Sequence, residues 1–480
     1  MNFIMVTYII GWILQIESAF LLLPAIVGFF YGEADKSLVY IITALGSFLV
    51  GFLIKLKKPK THDLYTREGF ATVAIGWIAM SAVGAVPFRA TGEIPHYIDA
   101  LFETVSGFTT TGGSILNDVE ALSHATLFWR SFTHWIGGMG VFVFIMAIFP
   151  IMGGYSINLM RAESTGPSVG KLVPRVQNTA KILYAIYMGL TIVGCIVYMI
   201  CGMSFFEAIT TIFGTVGTGG YGILNTSITT YSPAVQWAIT IFMILSGINY
   251  SVYFCLLRRQ FKEAFSISEV KWYIGIILVS TAIIAFNIRE LYSGAGESIR
   301  QAAFQVGSII TTTGFSTTDF DLWPSLSKTI LVILMFCGAC SGSTGGGMKI
   351  SRWLIMGKTI FKELSTIIHP RQVKKIHMDG HVVEHETVRA TNVYLASYFF
   401  IMLLSVLLIS LDNFDFTTNF TGVVAMINNI GPGIGLVGPT GNYSIFSNFS
   451  KIVLIFDMLA GRLEIFPMLI ILKPACWKKY

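Results

Sequence analysis

Ala100-Leu-Phe-Glu-Thr-Val-Ser-Gly-Phe-Thr-Thr-Thr-Gly112 decides the reading of this chain, because the pattern returns. It aligns without gaps with Ala208–Gly220, which runs into Gly217-Thr218-Gly219-Gly220-Tyr221. It also aligns with Ala302–Gly314, which ends Thr311-Thr312-Thr313-Gly314-Phe315. A fourth, more divergent copy ends Ile430-Gly431-Pro432-Gly433. The terminal glycines, taken as Gly112, Gly220, Gly314 and Gly433, are 108, 94 and 119 residues apart. Repetition at this scale marks a structural unit rather than a chance motif.

The surroundings say what kind of unit. Of 480 residues, 54% are hydrophobic and 12% charged, and the mean hydropathy is +0.69. Soluble domains carry about a quarter charged residues, so lipid is the expected solvent. Apolar runs near 4–30, 37–54, 70–88, 125–150, 182–203, 234–257, 272–292, 326–357, 391–411 and 448–472 predict ten transmembrane helices. The alternating segments of a β-barrel are missing. The copies fall near 96–114, 204–222, 297–316 and 417–435, each between two spans and too short or too polar to cross. Each reads as a half-helix that enters the membrane and returns as an extended strand. Non-helical backbone at that depth is tolerated only where it is buried or lines a cavity. The predicted fold is all-α and polytopic, with four helix–pore-loop–helix repeats around a central pore. An N-terminal helix pair, 1–60, precedes repeats at 66–152, 180–258, 270–358 and 388–474.

Charge sets the expected orientation. Basic residues cluster in alternate loops, including Lys55, Lys57, Lys58, Lys60 and Arg67, then Arg161, Lys171, Arg175 and Lys181, then Arg258, Arg259 and Lys262. Lys358, Lys362, Arg371, Lys374, Lys375 and Arg389 form a fourth cluster, and Lys473, Lys478 and Lys479 close the chain. The opposite loops hold Glu33, Asp35, Glu93, Asp99, Glu103, Asp118 and Glu120. The positive-inside rule makes the basic loops and both termini cytoplasmic and all four turns external. Because each basic cluster abuts an apolar span, a nucleic-acid surface is not expected. The first apolar run lacks a basic leader and exceeds a signal-peptide core, so it reads as a retained helix. Six cysteines without metal spacing read as small packing residues.

Gly and Thr in these turns suit a dehydrated monovalent cation. Such an ion needs oxygens in place of its hydration shell, and extended backbone carbonyls with threonine hydroxyls supply them. Glycine permits the required backbone angles at little steric cost. No acidic ring suits a divalent ion and no basic ring suits an anion. Thr110, Thr111, Gly112, Thr218, Gly219, Gly220, Thr312, Thr313, Gly314, Gly431, Pro432 and Gly433 are the candidate filter. Potassium is placed at Thr110, Thr111, Thr218, Gly219, Thr312, Thr313, Gly431 and Pro432.

Two features sit below. Gly338-Ala-Cys-Ser-Gly-Ser-Thr-Gly-Gly-Gly347 has five glycines in ten residues and should break its span. A hinge and a mobile plug are both open readings, with Gly342, Ser343, Thr344, Gly345, Gly346 and Gly347 as the gate candidates. Arg462 falls mid-span, where a charge costs about 2.5–3.5 kcal/mol on insertion scales. Asp457 and Glu464 are poorly spaced to pair with it on one helix. Lys349 reads equally as added positive potential or as a snorkelling anchor. His134 reads as a buried, hydrogen-bonded histidine, and Arg130 as a brace of the filter with Glu103 as partner. The remaining histidines are scattered. His377, His381 and His385 are spaced by four, but Gly380 and the basic context favour a solvated loop over a metal face. Neither an enzyme nor a bound cofactor is expected.

Phe304-Gln-Val-Gly-Ser-Ile-Ile-Thr-Thr-Thr-Gly-Phe-Ser-Thr-Thr-Asp-Phe320 resembles the third filter of the Trk/Ktr/HKT superfamily of potassium-uptake proteins. Arg130-Ser-Phe-Thr-His-Trp-Ile-Gly-Gly-Met-Gly140 and Asn428-Asn-Ile-Gly-Pro-Gly-Ile-Gly435 with Gly438-Pro-Thr-Gly-Asn-Tyr443 carry the same resemblance. The two extra N-terminal spans point to the TrkH branch. The resemblance implies one key glycine per filter, at Gly112, Gly220, Gly314 and Gly433. It implies potassium rather than sodium, because a glycine and not a serine stands at 112. The second filter departs from the usual family wording. The resemblance favours a plug at 338–347, and it implies that Arg462 projects into the pore and raises the barrier to idle leakage. It also implies a bacterial plasma-membrane location, a homodimer, and a cytosolic TrkA-type regulatory subunit. The last would supply the nucleotide-binding domains for which this chain has no phosphate loop. A secondary transporter coupling potassium to protons or sodium is the alternative. The four turns entering from one side favour a channel-like ring over inverted repeats.

Overall fold

In a computed structural model the described residues are 1–59, 65–140, 176–372 and 374–478. The basic residues Lys60, Arg161, Lys171, Arg175 and Lys479 therefore lie outside the described residues, as does the end of the first repeat. Nearly all ordered structure is helical, apart from a two-residue hairpin pairing His377–Met378 with His381–Val382.

The N-terminal helices Phe3–Phe30 and Ala34–Lys55 pack as an antiparallel pair. Their crossing is close because a Cβ at Gly11 would lie 2.8 Å from the Gly51 carbonyl, the small-residue contact expected between membrane helices. The second helix turns Ile42, Leu45, Phe48, Leu49, Phe52 and Leu53 outward. A water-soluble surface would not carry that apolar strip. Glu33 joins the pair to the first repeat by accepting from His124 N at 2.8 Å and Ala125 N at 3.1 Å. Met1 N lies 3.4 Å from the Lys478 carbonyl, so the two ends of the chain share a side.

Each repeat supplies a first long helix, a short re-entrant helix, a turn and a second helix. The re-entrant helices are Tyr97–Phe108, Phe205–Val216, Ala295–Ile310 and Phe416–Ile427. At 12, 12, 16 and 12 residues they reach only partway through a bilayer that needs about 20. Local sequence starts several helices. Ser123, Ser232 and Ser447 cap three of the second helices, and Ser204 with Glu207 forms a capping box on the second pore helix.

The sequence predicts ten spans, one of them, 326–357, broken by glycine; the structure adds breaks in others. Among the described residues six helices are long and apolar enough to cross. Among the described residues the second helices of the repeats run His124–Met139, Pro233–Ser246, Ser325–Met335 and Asn448–Arg462, and the part of span 125–150 beyond Gly140 lies outside them. Span 234–257 bends by 90° between Ser246 and Tyr250. Span 448–472 stops at Arg462 and resumes at Phe466, with Glu464 and Ile465 at φ of 59° and 67°. The break in 326–357 carries five glycines, the bend in 234–257 carries Gly247, and the stop after Arg462 has no glycine or proline between Leu463 and Ile465.

Candidate functional site

Each pore helix ends in the same way. Thr110, Thr218, Thr312 and Asn429 all stand at φ between 54° and 57°. Their amides bond back to Gly107, Thr215, Ile309 and Met426 carbonyls, and the next amides bond to Ser106, Gly214, Ser308 and Ala425. This is the Schellman pattern, which normally places glycine at the left-handed residue. Three β-branched threonines there are backbone outliers, and such strain persists only where the surroundings hold it.

The shared geometry fixes the register of the fourth turn. Gly112, Gly220, Gly314 and Gly431 follow two residues later, at φ of 78°, 79°, 86° and 95°. They close a ring in chain order. A Cβ on Gly112 would lie 2.0 Å from Gly219 O, one on Gly220 2.0 Å from Thr313 O, and one on Gly314 2.0 Å from Ile430 O. One on Gly431 would lie 2.7 Å from Thr111 O. The four carbonyls so approached, from Thr111, Gly219, Thr313 and Ile430, belong to equivalent positions. All four ring glycines also line one cavity, together with Pro432. The counterpart of Gly112 is therefore Gly431, and the assignment to Gly433 is corrected. Gly433 sits two residues on, against the Thr421 and Val437 side chains at 2.9 Å, and does not line that cavity. Thr111 and Thr313 keep their hydroxyls on Thr109 and Thr311, at 2.8 and 2.7 Å.

Polar struts hold the ring from behind. His134 approaches Gly107 O with Nδ1 at 2.7 Å and accepts from Tyr221 N on Nε2 at 3.2 Å. That pattern assigns the neutral Nδ1–H tautomer and a structural role. Arg130 bonds Glu103 at 2.6 Å and Gly222 O at 2.8 Å, and its guanidinium lies 3.5 Å from the Tyr221 ring centroid.

Directly below the ring lies the 338–349 segment. Gly346 N donates to Thr312 Oγ1 at 2.7 Å, and a Cβ on Gly345 would sit 3.1 Å from Thr311 O. The segment and the broken second helix of repeat two satisfy each other's freed backbone. Cys340 N donates to Gly247 O at 3.0 Å and Tyr250 N to Gly342 O at 3.1 Å. Unpaired groups could not stand at this depth. Glu269 holds the segment's ends by accepting from Ser341 N at 2.8 Å and Ser351 N at 3.0 Å.

Arg462 spans the same place. It donates to Thr344 O at 2.8 Å, and to Gly137 O at 2.5 Å and Gly138 O at 2.8 Å. Those last carbonyls end helix His124–Met139, where the helix dipole favours a cation. Glu464 forms an ion pair with Arg352, and Asp457 accepts from Ser405 at 2.7 Å. Lys349 is fully buried and donates to Gly345 O and Gly346 O, so the snorkelling reading is corrected. His377 and His381 lie in the exposed hairpin and His385 opens a helix, so they share no helical face. Glu269 and Asn429 were missed from sequence. Extending the gapless alignment back through the fourth pore helix would have placed Asn429 opposite Thr110, Thr218 and Thr312.

The fold and the ring define a class: multi-pass helical membrane transport proteins built from four pore-loop repeats. A family profile described as TrkH, cation transport protein, matches residues 39–278 and 291–478. The chain belongs to the TrkH family. It is 35% identical to the Trk system potassium uptake protein TrkH of Escherichia coli (strain K12), with all of both chains covered. It is 31% identical to the Trk system potassium uptake protein TrkG of that organism, with 98% of both covered. The crystal structure of the potassium transporter TrkH from Vibrio parahaemolyticus superposes with a TM-score of 0.89 at 30% identity, over 100% of both chains.

Proposed function

We propose that this chain takes potassium across the plasma membrane through a gated, potassium-selective pore, as the pore-forming subunit of a Trk-type system. The closed ring of glycine turns carries the reading. Four equivalent carbonyls, at Thr111, Gly219, Thr313 and Ile430, meet four glycines that admit no side chain. Backbone oxygens in such a ring replace the water of a desolvated cation. Thr110, Thr218 and Thr312 extend the site one residue toward the gate. The 338–349 segment is the plug, and Arg462 and Lys349 hold it closed. The basic loops face the cytoplasm, where a TrkA-type nucleotide-binding subunit docks and shifts the plug through unequal affinity for its two states. The chain works as a homodimer with both termini cytoplasmic.

The ring running in chain order favours a channel-like path over proton- or sodium-coupled symport. Proteoliposomes test both points. Potassium flux should exceed sodium flux, should follow the potassium gradient without sodium or pH gradients, and should lose selectivity in Gly314→Ser. Unchanged selectivity in that variant overturns the filter; flux that needs a second ion gradient overturns the channel.

A further inference from the structure

At the foot of the fourth turn Asn429 takes the place held by threonine in the other three. Asparagine tolerates its φ of 54° better than threonine does. Conformation alone does not account for what its side chain touches. Asn429 Nδ2 donates to Thr111 Oγ1 at 2.9 Å and to Met458 O at 2.9 Å. One buried amide thus joins the first turn to the helix that ends at Arg462.

The same residue meets the plug segment. A Cβ on Gly346 would lie 2.7 Å from the Asn429 Cβ and 2.9 Å from Asn428 O. The last helix closes on it from another side, since a Cβ on Gly461 would lie 2.0 Å from Ile427 O and 3.0 Å from Asn429 Oδ1. No equivalent threonine bridges all three parts. Thr218 returns its hydroxyl to Gly217 O at 2.6 Å, and Thr312 receives Gly346 N but reaches no second helix. The Thr110 hydroxyl has no hydrogen-bond partner among the described residues.

We propose that Asn429 is a positioning residue that ties the fourth turn to the plug segment and to the Arg462 helix, so that discrimination between cations follows the state of the gate. The inference rests on reading the ring as filter and the segment as gate. Displacing the Arg462 helix must either break the Met458 bond or pull the turn with it. Either change reaches Ile430 O, the ring oxygen of the next residue, and Thr111, the ring residue bonded to the amide.

The test is a flux cycle in proteoliposomes. Asn429→Thr gives the fourth turn the residue of the other three and removes both amide bonds. It should lower the potassium-to-sodium flux ratio roughly tenfold, the scale of two lost buried bonds. Arg462→Ala should then change that ratio in the wild-type background and leave it unchanged in Asn429→Thr, since the link is already cut. A folded Asn429→Thr protein with a ratio within about twofold of wild type, or effects that multiply independently, overturns the proposal. If Asn429→Thr fails to fold, Thr111→Val removes the acceptor at nearly constant shape and takes the same measurement. A wild-type chain that passes both ions equally overturns the filter reading itself, an outcome separate from the variants.

Discussion

Arg130 Nε donates to Glu103 Oε1 at 2.6 Å in a site where both side chains are at most 3% exposed. Glu103 also accepts from Ser114 Oγ at 3.0 Å and Ile115 N at 3.0 Å, just past Gly112. Arg130 reaches Gly222 O, just past Gly220. The ion pair therefore clamps the outgoing strands of the first two turns. Removing one partner strands a buried charge, which costs about 3–5 kcal/mol. Arg130→Gln and Glu103→Gln should each lower the thermal unfolding midpoint in detergent sharply, and both should lose potassium selectivity. An unchanged midpoint would show that the clamp carries no stability.

The register of the fourth turn predicts unequal glycines. Gly431→Ala forces a Cβ to within 2.7 Å of a backbone carbonyl at φ 95°. Gly433→Ala meets the side chains of Thr421 and Val437 at 2.9 Å, which can rotate, and the Thr421 backbone at 3.1 Å. Potassium-to-sodium flux should collapse in Gly431→Ala and fall by no more than a few fold in Gly433→Ala. The reverse order would restore Gly433 to the ring.

Arg462→Ala removes the bonds to Thr344, Gly137 and Gly138 carbonyls. Idle potassium flux in the absence of any regulatory subunit should rise about tenfold or more, at roughly 1.5–3 kcal/mol per bond made by a charged group. Arg462→Lys should fall between the two, because an ammonium lacks the planar fork that serves several carbonyls at once. Equal idle flux in wild type and Arg462→Ala would remove the residue from the gate.

Asp415 caps the fourth pore helix on the expected outer side. Thr418 Oγ1 donates to it at 2.6 Å and Thr418 N at 3.0 Å. These bonds hold its carboxyl below the usual carboxylate range. A lowered folded pKa means the stabilisation is present above the unfolded carboxylate value and is lost as pH falls through the folded one. Exposure to solvent keeps the effect small. Asp415→Ala should cost about 1 kcal/mol at neutral pH, and the difference from wild type should vanish in acid. Thermal melts across that pH range read it directly.

Much of this was written in the sequence. The half-helices, their Gly-Thr ends and the break at 338–347 follow from composition and repetition, because a polar, glycine-rich stretch between apolar runs can stand in lipid only where it is buried or lines a cavity. The Arg130–Glu103 pairing was anticipated from chemistry alone. The register of the fourth turn was not, because Ile430-Gly431-Pro432-Gly433 offers two glycines. Only the left-handed Asn429 and the carbonyl of Thr111 choose between them. Gly247 carried a weak signal for the second helix's 90° bend, and Leu463–Ile465 carried none.

By itself the sequence determined the solvent, the four repeats and the residue types of the ring, since hydropathy and glycine's backbone freedom are local properties. The tertiary structure alone decided which glycine closes the ring, where the second helices stop, and that Arg462 ends on carbonyls of two other segments. Those outcomes depend on contacts such as Asn429 to Thr111 and Arg462 to Gly137, made between residues more than 300 positions apart. No local pattern encodes them, because a buried polar group takes whichever distant partner the packed chain brings within reach.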